Sequence, residues 1–446
     1  MLQLPSLSFD LNLGRRRSAT DVVGLDVQPG LVAAVKARVD GTIRAERAAA
    51  QPLDADTMRE GEVLDVEALS EALRELFADG GLGKHVRVGI ASQRTVMRTL
   101  ELPPVTDRKE LAAAVNFQAQ DQVPMPLASA VLDFHPLGVI DTPNGPRQRV
   151  VLVAAQRDLV ERLLAAVRAA GLTPVGVDLS AFALIRSLHD RAADEGGRVL
   201  YLNVDGLTNL AIAEGTVCRF TRVIGGGVEG MASELASRRG IALSEARTLL
   251  ASVDLSAPVA PDPGLALAVE QLPASASPGA RSAGEEADAS AAIDAGSPAG
   301  DDAPEAREAA EPPTLSREEH EAREASMGYR EVIEAAKPPV GEPEPEPELF
   351  DGDIRGVLEN GIRELTGEIR NSIDFHRTQD QGGEIAYVSL SGAALDLPGF
   401  ARALQSSLGI EVHSDAVGLV DASLEGTVST NRLSVAAGLA TVEAPR

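Results

Sequence analysis

Two stretches of the chain place small and acidic residues at the end of an apolar run, where a phosphate can be held. In the first, Val22 to Val27 is a short apolar strand carrying Gly24 and Asp26, and it runs into a turn at Gln28-Pro29-Gly30. In the second, Arg198 to Val204 is a strand carrying Asn203, followed by the turn Asp205-Gly206-Leu207-Thr208 and by Asn209. Turns of this kind expose backbone N–H groups, which cradle phosphate oxygens. A carboxylate at a strand end, here Asp26, holds Mg²⁺ through water. Gly225-Gly226-Gly227 precedes a helical pattern and adds the positive end of a helix dipole. Ser391-Gly392, at the end of a later strand, lets a base or sugar approach closely. Two such turns on opposite walls of a cleft would clamp a nucleoside triphosphate, with Asp26 on the metal.

Each piece also has a plainer reading. Asp-Gly turns serve as simple hairpins, Asp26 alone is a surface or capping carboxylate, and three glycines before a helix are an ordinary loop. Order and duplication carry the functional reading. Other constellations fail. None of His85, His135, His189, His320, His376 and His413 stands at metal-ligand spacing with another. No G-x-S-x-G and no G-x-x-x-x-G-K-[ST] occurs. One G-x-G-x-x-G does, at Gly225, Gly227 and Gly230, but the strand before it closes an antiparallel meander and not a βαβ unit. The lone cysteine, Cys218, makes no internal disulfide and no four-cysteine zinc site; it reads as a packed core thiol in an intracellular chain.

The elements that must position these residues repeat. After the first turn come strands at Leu31 to Ala37 and Thr42 to Arg47, joined by the hairpin signal Asp40-Gly41. After the second come strands at Asn209 to Ala213 and Thr216 to Thr221, joined by Glu214-Gly215, and then a helix from Val228 to Arg238. Two meanders of one kind are the mark of a duplicated domain. A third unit lies between them. Val86, Val88 and Ile90 alternate in a strand, and Val96 to Leu102 is another, stopped by Pro103-Pro104. Asp107 with Glu110 caps a helix running to about Gln122. Val131 to Ile140 pairs with Gln148 to Ala155, and Asp158 to Ala170 is an amphipathic helix. Farther on, Ile354 to His376 and Gly399 to Leu408 read as helices around a strand at Glu384 to Leu390, and Asn431 to Val442 as a closing helix.

The formal net charge is −26 over 446 residues, which excludes a general nucleic-acid binder. Between Leu255 and Phe350 stand 21 acidic and 6 basic residues and 14 of the 27 prolines, a composition expected to stay disordered. Within it, Leu315 to Ala336 is Pro-free and weakly helical in pattern. No apolar run reaches bilayer length. The Arg15–Arg17 cluster follows the apolar start of the chain and does not precede it, so the N-terminus reads as a mobile tail or a docking segment, not a secretory signal.

The middle unit resembles a known family. Leu100-Glu101-Leu102-Pro103-Pro104, Asn116-Phe117-Gln118-Ala119, Val123-Pro124-Met125-Pro126-Leu127 and Ala170-Gly171-Leu172-Thr173-Pro174-Val175-Gly176-Val177-Asp178 are similar to motifs of the PilM family of actin-like, FtsA-related type IV pilus assembly proteins. Gly24-Leu25-Asp26 resembles its first phosphate motif, Thr208-Asn209-Leu210 with Gly225-Gly226 its second, and Leu390-Ser391-Gly392 its adenosine motif.

The resemblance implies an α/β, actin-like duplicated ribonuclease-H-like fold with a small inserted subdomain and a long disordered acidic insertion. Its expected divisions are a tail at 1–20, a first half at 21–85 and 156–195 with the closing helix 429–442, a subdomain at 86–155, a second half at 196–254 and 350–428, and the insertion at 255–349. It further implies an ATP-binding cytoplasmic adaptor, peripheral to the inner membrane. Such an adaptor holds the cytoplasmic N-terminal peptide of a PilN-like protein, links it to the assembly ATPase machinery, and is open to homo-oligomerisation. The peptide groove is expected between the middle module and the first half. Alternatives are an actin-fold phosphotransferase and an FtsA-like filament former.

Departures from the motif weaken the nucleotide reading. Gln28 stands for a glycine, Pro29 for a serine, and Ala33 for a lysine. Asn203 stands for an aspartate, Asp205 for a glycine, and Ala393 and Ala394 for glycines. ATP with Mg²⁺ is therefore expected to bind weakly and to be hydrolysed slowly or not at all.

Overall fold

A computed structural model describes residues 22–190, 197–257, 351–379, 383–421 and 428–441. The expected tail at 1–20, nearly all of the acidic insertion, and the weak helix pattern at 315–336 lie outside the described residues.

In the first half, β1 (Val22–Gln28), β2 (Leu31–Val39) and β3 (Ile43–Pro52) form an antiparallel meander. A small hairpin of β4 (Met58–Arg59) and β5 (Glu62–Val63) leads to α1 (Val66–Leu76). The Asp65 carboxylate starts that helix by accepting from the N–H groups of Glu67 and Ala68 at 2.9 and 3.0 Å. Its buried stripe, Leu69, Leu73 and Leu76, enters the first core. Strand β6 (His85–Ile90) then runs parallel to β1 on the side away from β2.

The middle module follows: β7 (Thr95–Leu102), α2 (Arg108–Gln122), β8 (Ala130–Thr142) and β9 (Gly145–Gln156), with sheet order β7-β9-β8. Asp107 caps α2, and Leu111, Val115 and Ala119 close a separate core over Leu100, Leu102, Val150 and Leu152. The chain returns to the first half through α3 (Arg157–Ala169), β10 (Thr173–Leu179) and α4 (Ser180–Leu188).

The second half repeats the plan. Strands β11 (Arg198–Val204), β12 (Thr208–Glu214) and β13 (Val217–Ile224) form the meander. Helices α5 (Val228–Arg239), α6 (Leu243–Ser252) and α7 (Asp351–Gln379) follow, then β14 (Ile385–Ser391), α8 (Phe400–Leu408) and β15 (Val412–Ser414). The two-residue β16 (Gly418–Leu419) crosses back to pair with β3, and α9 (Ser434–Leu439) closes the chain against β1 and α4.

The first sheet is ordered β10-β6-β1-β2-β3-β16 and the second β13-β12-β11-β14-β15. Apart from β16, both have one order: the meander with its first strand central, then two strands added parallel beyond it. The fold is thus a duplicated, actin-like α/β fold. A shared core of Ala181, Leu184, Ile185, Tyr201, Ala211, Val435 and Leu439 joins the halves. Six-residue α9 is too short to be stable alone. It is held by close approach: a Cβ added at Gly24 would lie 1.8 Å from the Ala436 carbonyl oxygen, and one at Gly438 would lie 1.9 Å from that of Ala183.

One placement corrects the sequence reading. Residues 85–90 belong to the first sheet, not to the middle module. Their alternation suggests a half-exposed strand, yet Arg87 and Gly89 are covered as well as Val86, Val88 and Ile90. The Arg87 guanidinium donates to the carbonyls of Leu439 and Thr441 at 2.8 and 3.0 Å, which caps α9, and Gly89 lies against Leu439 and Ser180. A strand buried on both faces is what a parallel neighbour of β1 requires.

Candidate functional site

The two turns meet. A Cβ added at Gly206 would lie 2.1 Å from the Pro29 carbonyl oxygen, so the turn after β11 rests on the turn after β1 with no room for more than a hydrogen. Gln28 ends β1 and its side chain is buried between them. Its Nε2 donates to Asp26 Oδ2 at 2.6 Å, and its Oε1 accepts a long bond, 3.5 Å, from the Leu207 N–H. Gly30 has φ +82°, and beyond it lies the ion pair Arg247–Glu229, whose Nε–Oε2 distance is 2.9 Å.

Asp205 is 3% exposed and pairs with Arg432, whose Nε donates to Oδ2 at 3.0 Å and whose Nη2 donates to Oδ1. Arg432 ends the single turn Thr430–Arg432 that leads into α9. Two hundred and twenty-seven residues separate the partners, and no spacing connects them. Sequence reading missed Arg432; its one signal is a lone cation within an otherwise neutral closing segment.

Asp26 is 4% exposed. Burial lifts its carboxyl from 3.8 to about 7; the Gln28 bond opposes the rise, Asp205 adds to it, and Arg432 counters. Its Oδ1 has no hydrogen-bond partner, nor has the Ser180 hydroxyl, and both flank Gly89.

The remaining expected site residues are drawn into local bonding. Thr208 Oγ1 donates to the Gly226 carbonyl at 3.2 Å, and the Val228 N–H to that of Asp205 at 2.9 Å, so the Gly225–Gly227 loop packs behind the second turn. Ser391 Oγ donates to Asn203 Oδ1 at 2.9 Å. The Gly392 N–H donates to the Asn431 carbonyl at 2.8 Å. Asn203 and Asn209 are buried, each with an unpartnered Nδ2. Gly24 faces α9, not the slot.

These contacts bring Asp26, Gln28, Gly30, Asp205, Gly206 and Gly227 together, and they test the expected group. A triphosphate needs N–H donors and cations facing an open slot. Here Pro29 has no N–H, the Leu207 N–H faces Gln28, Arg432 is committed to Asp205, and the turns touch. A Mg²⁺ ion at Asp26 would meet one carboxylate oxygen already accepting from Gln28, with the Arg432 charge nearby. Among the described residues, no group of three or more His, Cys, Asp or Glu is arranged for a metal. The residues present do not fit Mg–ATP between the turns.

Two cavities of about 520 Å³ border the second half. One is walled by α5, α7, Thr208 and Gly225–Gly227, the last four of them expected site residues. The other is a groove between β7 of the middle module (Thr95 to Arg98) and β13 (Thr221 to Ile224), with Gln93 at one end. Strands β7 and β13 are both outer strands of their sheets. This groove at β7 is thus bordered by the second half.

The model of a family described as type IV pilus assembly protein PilM matches residues 24–250. The chain belongs to the PilM family. Among solved structures, this PilM-family chain is similar to the PilM-PilN type IV pilus biogenesis complex, at TM-score 0.63 and 20% identity over 94% of this chain and 97% of that one. Looser likenesses are to the ethanolamine utilization protein EutJ from Carboxydothermus hydrogenoformans (TM-score 0.42, 14% identity, 94% and 88% covered) and to MreB5 of Spiroplasma citri bound to ADP (TM-score 0.39, 12% identity, 94% and 95% covered). Cys218, finally, is buried, and burial pushes its thiol up to about 12, which leaves no nucleophile there.

Proposed function

We propose that the chain is a structural adaptor of type IV pilus assembly. It holds the cytoplasmic N-terminal segment of a PilN-like membrane protein, connects it to the pilus assembly ATPase, and works at the inner face of the cytoplasmic membrane. The observation that carries this reading is the PilM family match, which runs from β1 through the whole middle module to α6. The similar solved complex contains a PilN chain, which gives the partner class. The free edge of β7, bordering an open groove, supplies a seat for an extended segment through strand addition. No helix among the described residues is long and apolar enough to cross a membrane.

A phosphotransferase reading finds less support. It requires a phosphate slot and a carboxylate aimed at an acceptor, whereas Asp26 is buried under Gln28 and Asp205 is paired with Arg432. The adaptor reading is tested by calorimetric titration with a synthetic peptide copying the cytoplasmic N-terminal segment of a PilN-like protein. Saturable binding that protects β7 amides from exchange is expected. No binding, together with no capture of the full-length partner in detergent, contradicts it.

A further inference from the structure

We infer that the two halves are fastened by the chain's own side chains in the slot where their turns meet: the Arg432–Asp205 pair and the Gln28 bridge hold this PilM-like fold closed without nucleotide. The argument is one of inverted charge. A slot built for a triphosphate presents cations and N–H donors to an anion that arrives from solution. Here the anion is resident, the Asp205 carboxylate, and the cation that meets it, Arg432, is resident too. The amide of Gln28 supplies both remaining functions, a donor to Asp26 and an acceptor for the Leu207 N–H.

The connection spans the molecule. Asp205 belongs to the second half, and Arg432 immediately precedes α9, which lies on β1 of the first half. The pair therefore ties the second turn to the closing helix, and the closing helix to the strand bearing Asp26 and Gln28. The Arg247–Glu229 pair, both of whose partners belong to the second half, packs against Gly30 of the first turn. An entering triphosphate would have to break the Arg432 pair, expel Gln28 and part Gly206 from Pro29. It would then sit beside the bare Asp205 carboxylate, which repels it.

The test titrates the full chain with Mg–ATP and Mg–ADP by calorimetry and thermal shift. No heat of binding and no rise in Tm at millimolar nucleotide are expected. Arg432→Ala is expected to lower Tm by about 5 °C and to speed amide exchange at residues 205–209 and 434–439 about tenfold. The double variant Asp205→Asn/Arg432→Gln leaves no bare buried charge and keeps the fold if Arg432→Ala does not. It is expected to show the same faster exchange. Micromolar Mg–ATP binding to the unaltered chain, or wild-type exchange in the double variant, overturns the inference. Affinity for the partner peptide, expected to be the same with and without Mg–ATP, is a separate reading: its absence counts against the adaptor function alone.

Discussion

The turn after β1 and the turn after β11 hold equivalent places in two sheets of one strand order, yet their chemistry is opposite. The first is closed by an amide: Gln28 fills it, Pro29 withholds a donor, and Asp26 beneath is lifted by burial to about 7. The second carries a charge, Asp205, which a cation from far along the chain neutralises. Duplication conserves what the backbone must do, which is to pair a meander edge to edge with two parallel strands. It does not conserve what the turn displays. Where a fold keeps its sheets and changes its turns, the contact between halves can pass from a ligand to the chain itself.

The difference between the turns can be broken at several points. The largest effect is expected for Arg432→Ala, which strands the Asp205 carboxylate in a buried position. Urea unfolding should show a loss of about 3–5 kcal/mol. A loss under about 1 kcal/mol would mean that the pair behaves as a surface bridge.

The first turn is probed by pH. The folded-state value of Asp26, about 7, lies above its ordinary 3.8, so the folded state holds the proton more tightly. Stability therefore falls as pH rises between those two values and levels off above the higher one, by up to about 4 kcal/mol. In Asp26→Asn this part of the slope should vanish and Tm above neutrality should rise; an unchanged slope would place the titrating group elsewhere.

Gly206→Ala drives a methyl against the Pro29 carbonyl and should cost about 2 kcal/mol, read by thermal melting. The same change at Gly41, where an added Cβ meets nothing within 4 Å but φ is +87°, should cost about 1 kcal/mol, from backbone strain alone. Ser391→Ala should have the smallest effect, about 1 kcal/mol or less, because it removes one hydrogen bond to Asn203 in the second half and touches nothing in the first.

Much of the fold was legible because its signals are local. The meanders announce themselves through apolar runs of strand length and turns such as Asp40-Gly41 and Glu214-Gly215, and α2 through Asp107. What was not legible depends on contacts far apart in sequence. Strand 85–90 alternates as a half-exposed strand does, and only Arg87 reaching the end of α9 reveals that both faces are covered. Strand β3 runs on to Pro52, past the expected Arg47, because β2 continues beside it. Of the candidate residues, those of the two duplicated turns do meet, as Gly206 against Pro29 shows, while Gly24 faces α9. Their use was not legible, since the glutamine and proline in the first turn signal a lost donor but cannot announce Arg432. Gly24, read as part of a phosphate motif, is small because a helix backbone crosses it.

Amide exchange at residues 26–30 and 205–209, followed with and without Mg–ATP, probes the closed slot most directly. Strong protection of the Leu207 N–H in the nucleotide-free chain, unchanged when nucleotide is added, is the expected result. Weak protection that strengthens only with Mg–ATP would mean that a ligand, and not Gln28 and Arg432, holds the halves together.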